Sequence, residues 1–171
     1  MDLQRQHMHD KNRMAKITTT IVCVANAFCT LLAAINLGFN FSVTTRLLLC
    51  VGTIITCQVA YFKIGYEEKF RYFVTLPLAA TYIATLFLAT SAQSFAIMFS
   101  IIIIVLIYGE AKTVNLGCAV AIGALLVADI INFSRGNLSS DEMVPQILFA
   151  SIGCTAAIHS ISQQMEAVAK Q

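Results

Sequence analysis

From Ile17 to Gly38 the chain carries no charged side chain. At about 1.5 Å of rise per helical residue, such a run covers the roughly 30 Å hydrocarbon core of a bilayer. Further apolar stretches follow at 43–62, 70–90, 92–108, 113–133 and 144–162, and the fourth holds the sequence SIIIIVLIY. Backbone polar groups in lipid must find their partners within a helix or a closed barrel. Barrel strands run to about ten residues with alternating polarity, which these stretches do not show. The expectation is an all-α membrane protein: a six-transmembrane-helix bundle of three hairpins joined by short loops. The first apolar run is longer than the roughly 7–15 residues of a cleavable signal peptide, so it reads as a retained anchor.

Composition agrees. Hydrophobic residues make up 58% of the 171-residue chain and charged residues only 12%, against about a quarter in a soluble domain. The formal net charge of +2, without a dense basic run, argues against a nucleic-acid partner. The bilayer is the expected partner. No hydrophilic stretch is long enough for a second folded domain. Cys23, Cys29, Cys50, Cys57, Cys118 and Cys154 are scattered through the apolar segments without a C-x-x-C pair. They read as small hydrophobes, and no metal or cofactor is expected.

Lysine and arginine set the orientation. The amino-terminus and every second loop after it hold Arg5, Lys11, Arg13, Lys16, Lys63, Lys69, Arg71, Lys112 and Lys170; the opposite side has Arg46 and Arg135. Both termini are therefore expected in the cytoplasm. Residues 1–16 form a basic amino-terminal segment, 17–162 the transmembrane domain, and 163–171 the start of a cytoplasmic output helix. Sequons at Asn40, Asn132 and Asn137 fall too near the membrane edge to suggest glycosylation.

Helices in lipid associate through small residues. Gly117, Ala121, Ala124 and Ala128 form one stripe on the fifth span, and Ala150, Gly153 and Ala157 another on the sixth. Both are expected in tight helix contacts. Pro77 interrupts the third span, where a kink is expected, and Pro145 falls in the first turn of the sixth. Asn26 and Gln58 read as interhelical hydrogen-bond partners.

Asp129 is the one acid inside an apolar segment, about a turn before the outer end of the fifth span. An ionisable group at that depth marks a functional site by default, although snorkelling or pairing with Arg46 would explain it too. Asn36, Asn40, Arg46, Gln93, Asn132 and Arg135 are expected near the same level. With Asp129 they would line a polar cup able to take a ligand, with ordinary interfacial polarity as the simpler explanation. His159 near the inner end of the sixth span would face headgroups or act as a pH-sensitive hinge. His7, His9 and Asp10 lack a further ligand nearby for a metal. There is no phosphate loop, no G-x-S-x-G and no deep pair of carboxylates, so no enzyme activity is expected.

After the sixth span, Ile158, Ile161, Met165 and Val168 follow steps of three, four and three, a heptad seam. With no stop signal after it, this tail is expected to continue as an output helix that transmits movement of the sixth span. The order of a short basic amino-terminus, six tightly looped spans, SRGNLSSDEMVPQI before the last helix and then ISQQMEAVAK resembles the membrane region of bacterial methyl-accepting chemotaxis-type receptors that lack a periplasmic domain, or of related sensor kinases and cyclases. That resemblance implies a homodimeric transducer, or a higher receptor array, in the cytoplasmic membrane. Its cytoplasmic output module would engage a kinase pathway. A small six-helix transporter or channel-like subunit is the alternative.

Overall fold

The computed structural model describes residues 3–88, 96–137 and 139–169. Six α-helices follow one another: α1 Leu3–Leu37, α2 Phe41–Ile64, α3 Phe70–Leu88, α4 Ala96–Tyr108, α5 Ala111–Ser134 and α6 Ser140–Ala169. Among the described residues there is no strand. The chain divides into two compact units, Met1–Leu88 with α1–α3 and Ala89–Gln171 with α4–α6. Helices α1, α2, α3, α5 and α6 are long and apolar enough to cross a membrane. Helix α4 has 13 described residues, about 20 Å at the helical rise, and the start of the expected fourth span lies outside the described residues.

Local chemistry sets the helix ends. Gly38, at φ +74°, follows α1 and donates its N–H to the Ala34 carbonyl at 2.8 Å. This is a left-handed cap, a conformation that glycine adopts without a Cβ penalty. Asn40 then caps α2 by accepting from the Val43 N–H at 2.9 Å. The end of α5 is a Schellman motif: Gly136, at φ +72°, donates to Phe133 and Asn137 to Asn132. Helix α6 opens with a capping box, in which Glu142 reaches back to the Ser139 N–H at 3.1 Å and accepts its hydroxyl at 3.0 Å.

Two boundaries differ from the sequence reading. Residues 3–16 are helical and continuous with the first span, so α1 has 35 residues. Asn12, Ala15, Thr19 and Cys23 are all buried, and their spacings of three, four and four carry the inward face into the polar segment. Helix α6 starts at Ser140, because the capping box nucleates it before the apolar run begins. Pro145 therefore sits in the second turn rather than the first.

On α1, α2, α5 and α6 many inward positions are small and many outward ones large, whereas α3 and α4 bury large side chains such as Phe70, Leu78, Tyr82 and Ile104. In the first unit, Ala15, Cys23, Cys50, Thr53, Cys57 and Ala60 point inward, while Leu48, Ile55, Phe62 and Leu76 are exposed. In the second, Cys118, Ala121, Ala128, Ala150, Cys154 and Ala157 are buried, whereas Leu116, Ile130, Leu148 and Ile152 face out. Small residues inside bring backbones close, and large apolar residues outside suit acyl chains. Most interior hydroxyls are satisfied locally: Thr30, Thr85 and Ser151 each bond the carbonyl one turn earlier, whereas the buried Thr19 hydroxyl has no partner among the described residues.

Candidate functional site

In the first unit, polar contacts join α1 to α2 and to the turn that follows it. Asn26 donates to the Cys50 sulfur at 3.2 Å, and Gln58 to the Thr20 hydroxyl at 3.4 Å, so both amides make the interhelical bonds expected of them. Nearer the helix start, Asn12 is fully buried and donates to the carbonyls of Gly65 at 2.9 Å and Glu67 at 3.0 Å. Those carbonyls belong to the α2–α3 turn. One turn earlier, His9 stacks on Tyr66 and shares a 2.8 Å hydrogen bond with the Tyr61 hydroxyl. The Lys16 ammonium lies 4.1 Å over the Tyr61 ring, a cation–π arrangement.

This corner of His9, Asn12, Lys16, Tyr61 and Tyr66 was missed from sequence. The period of Asn12, Ala15, Thr19 and Cys23 was the signal that could have found it. Deeper in the unit, the Thr53 and Thr81 hydroxyls lie 2.9 Å apart, and both bond the Pro77 carbonyl. The proline lacks an N–H, and its carbonyl serves as an acceptor for two neighbours.

The residues expected to form a polar cup divide between the units. Asn36 and Arg46 belong to the first unit, and Asp129 and Asn132 to the second. Gln93 and the Asn36 side chain lie outside the described residues. Arg46 is half-buried, and its Nε has no hydrogen-bond partner among the described residues. Asn132 is half-buried, and its carbonyl serves the α5 cap. Asn40 is committed to capping α2, and Arg135 is exposed at the end of α5.

Asp129 does not snorkel. It is 3% exposed, and its Oδ2 is buried without a hydrogen-bond partner among the described residues. Gln146 on α6, which the sequence reading did not single out, is 5% exposed with Nε2 equally unpartnered. The two groups stand on the only two helices of the second unit that a single short turn joins near Asp129. Buried polar atoms almost always find partners, so two orphans in one helix pair single out this end of the α5–α6 pair as a candidate site.

The small-residue stripes lie as follows. Ala121, Ala128, Ala150 and Ala157 are buried, while Gly117, Ala124 and Gly153 are half-buried. A Cβ at Gly117 would stand 3.0 Å from Val105 Cγ1, so α4 passes close over α5 there. The Cys154 thiol reaches the Cys118 carbonyl at 3.9 Å, across the α5–α6 seam.

Of the tail seam, Ile161 is 2% exposed and packs with its own unit, whereas Ile158 and Met165 are exposed. The Val168 side chain lies outside the described residues. His159 is exposed and bonds Gln163 one turn on. Among the described residues, no three of His, Cys, Asp and Glu gather as a metal site would need.

These features define a polytopic helical membrane protein with a polar seam in each unit. No family model, curated protein or solved structure matches the chain.

Proposed function

We propose that the chain is the membrane-embedded sensory and anchoring region of a signal transducer, in which α6 carries a conformational change inward to a cytoplasmic output module. The observation that supports this most is the unbroken course of α6. Its 30 residues give a rod of about 45 Å, longer than a bilayer core of about 30 Å. One end of that rod carries the buried, unpartnered Gln146; the other presents Met165 at the surface. A shift at one end of a rigid helix is felt at the other.

The arrangement proposed is six spans in the cytoplasmic membrane of a bacterial cell, with both termini inside. The helix then acts as a homodimer, or within a larger receptor array, through the exposed Ile158 and Met165 together with Val168. No catalysis is assigned to these residues. The output module would be of the kinase-coupled kind that the chemotaxis-receptor resemblance implies.

A small transporter is the second reading, favoured by the uncompensated Asp129. Ionisable groups within transmembrane helices mark ion and substrate pathways in transporters. The two readings separate on association of the α6 tail. With Cys29 and the buried cysteines replaced, Met165→Cys in native membranes should give a disulfide-linked dimer under mild oxidation. Monomer alone, with Met165→Cys freely labelled by maleimide, would remove the sensory reading and leave the transporter.

A further inference from the structure

The contact of Cys154 with the Cys118 carbonyl fixes the register of α5 against α6. Asp129 lies about three turns further along α5, which brings it level with Met143 on the antiparallel α6, within one turn of Gln146. Both side chains are buried, as are Leu125 and Ala128 on α5 and Ala150 on α6, and the α5 face that carries Cys118 to the seam continues at helical spacing through Ala121, Leu125 and Ala128. A buried acceptor and a buried donor, each unpartnered among the described residues, thus stand at neighbouring heights across one seam.

Among the described residues of the second unit, no cation pairs with Asp129. On α4 the one titratable side chain among the described residues is Tyr108, at the end of α4 beside the start of α5. On α5, Lys112 stands at the opposite end, and Arg135 is exposed beyond the last turn. On α6, Asp141 and Glu142 occupy the first turn, Glu142 exposed and bound to Ser139. His159 is exposed near the far end. An ionised carboxylate so placed has lost its water without gaining a countercharge.

We propose that Asp129 is a proton-binding site whose occupancy is read by Gln146. An O–H bond forms on Oδ2 with a proton drawn from water at the exposed α5–α6 turn, and the proton returns there on release. With the proton bound, the neutral acid rests in the dry seam. With the proton gone, the carboxylate draws the Gln146 Nε2 donor toward it and shifts α6 along α5. The alanines at 121, 128, 150 and 157 give that seam few interlocking side chains to resist the slide. The binding site stands without the sensory reading; only its transmission along α6 rests on that reading.

Infrared difference spectra between acid and neutral pH, recorded on the full chain in lipid bilayers, test the site. The wild-type protein should show a carboxylic C=O band that is absent in Asp129→Asn, displaced in Asp129→Glu and shifted in Gln146→Leu. Glu142→Gln should leave it in place. Asp129→Glu keeps the test open if the asparagine variant fails to fold. A wild-type spectrum without the band, or a band unmoved by the Asp129→Asn and Asp129→Glu changes, overturns the proposal whatever α6 does. A band that behaves as expected, beside a label at Met165 that is indifferent to pH, upholds the site and removes the sensory reading instead.

Discussion

The imidazole of His9 lies stacked on the ring of Tyr66, with 4.2 Å between centroids and 17° between planes. Eight residues after His9 in α1 comes Ile17, where the charge-free run begins. The stack, with Asn12 beneath it, therefore ties the polar turns of α1 to the α2–α3 turn. Asn12→Ala strips a donor from the buried contact with Gly65 and from Glu67, at a cost of about 1–3 kcal/mol. His9→Ala loses the stack on Tyr66, a tilted ring contact with Tyr61 and one hydrogen bond, about 1–2 kcal/mol for a partly exposed group. Hydrogen exchange at residues 3–16 should accelerate in both variants, more in Asn12→Ala, while the amides of α5 and α6 keep their rates.

Gly117 and Gly123 make a matched pair on α5. A Cβ at Gly117 meets Val105 Cγ1 at 3.0 Å, but one at Gly123 meets nothing within 4 Å. Gly117→Ile should destabilise the second unit by about 1–3 kcal/mol through overpacking. Gly123→Ala should be neutral or stabilise it by up to about 1 kcal/mol, since alanine is the better helix former. Thermal unfolding in detergent, followed by circular dichroism, orders the two variants.

Thr53→Val in α2 removes a hydroxyl that meets Thr81 at 2.9 Å and the Pro77 carbonyl at 3.3 Å. Thr81 keeps its own bond to Pro77 at 2.9 Å, so no acceptor is left bare. The loss should be near 0.6 kcal/mol, the average for interhelical hydrogen bonds in a membrane protein. Thr81→Val removes the link to Thr53 and its own bond within α3 but leaves Thr53 bonded to Pro77 at 3.3 Å, so it should cost no more than Thr53→Val in the same unfolding measurement.

The proposed orientation has a direct check. In a background without native cysteines, Glu68→Cys in the exposed α2–α3 turn should react with an impermeant maleimide only from the cytoplasmic side. Asn137→Cys, exposed after α5, should react only from the other. Labelling of both from one side would remove the arrangement of both termini inside.

The helices were legible because charge-free length is a coarse and sturdy signal. The capping box at Ser139 and Glu142 is a short-range pattern, yet it moved the start of α6 outward and put Pro145 a turn deeper than the apolar run implied. The helical amino-terminus was hidden behind its charges; Asn12 reads as a solvated residue until its period with Ala15, Thr19 and Cys23 is followed. Asp129 stood out as an acid in an apolar stretch. Gln146 did not, since a glutamine two residues into an apolar run looks interfacial. Its significance comes only from the register of α5 against α6, which one sequence does not encode in any local pattern.

The central claim is that the state of the α5–α6 seam near Asp129 is felt at the inner end of α6. Nitroxide labels at Met165, exposed on the helix surface, measure this by pulsed dipolar spectroscopy of the chain in bilayers. The account predicts a resolved distance between the labels of one protomer and its partner, and a different distance in Asp129→Asn. A distribution identical in the two proteins, or the absence of any coupling between protomers, would contradict it.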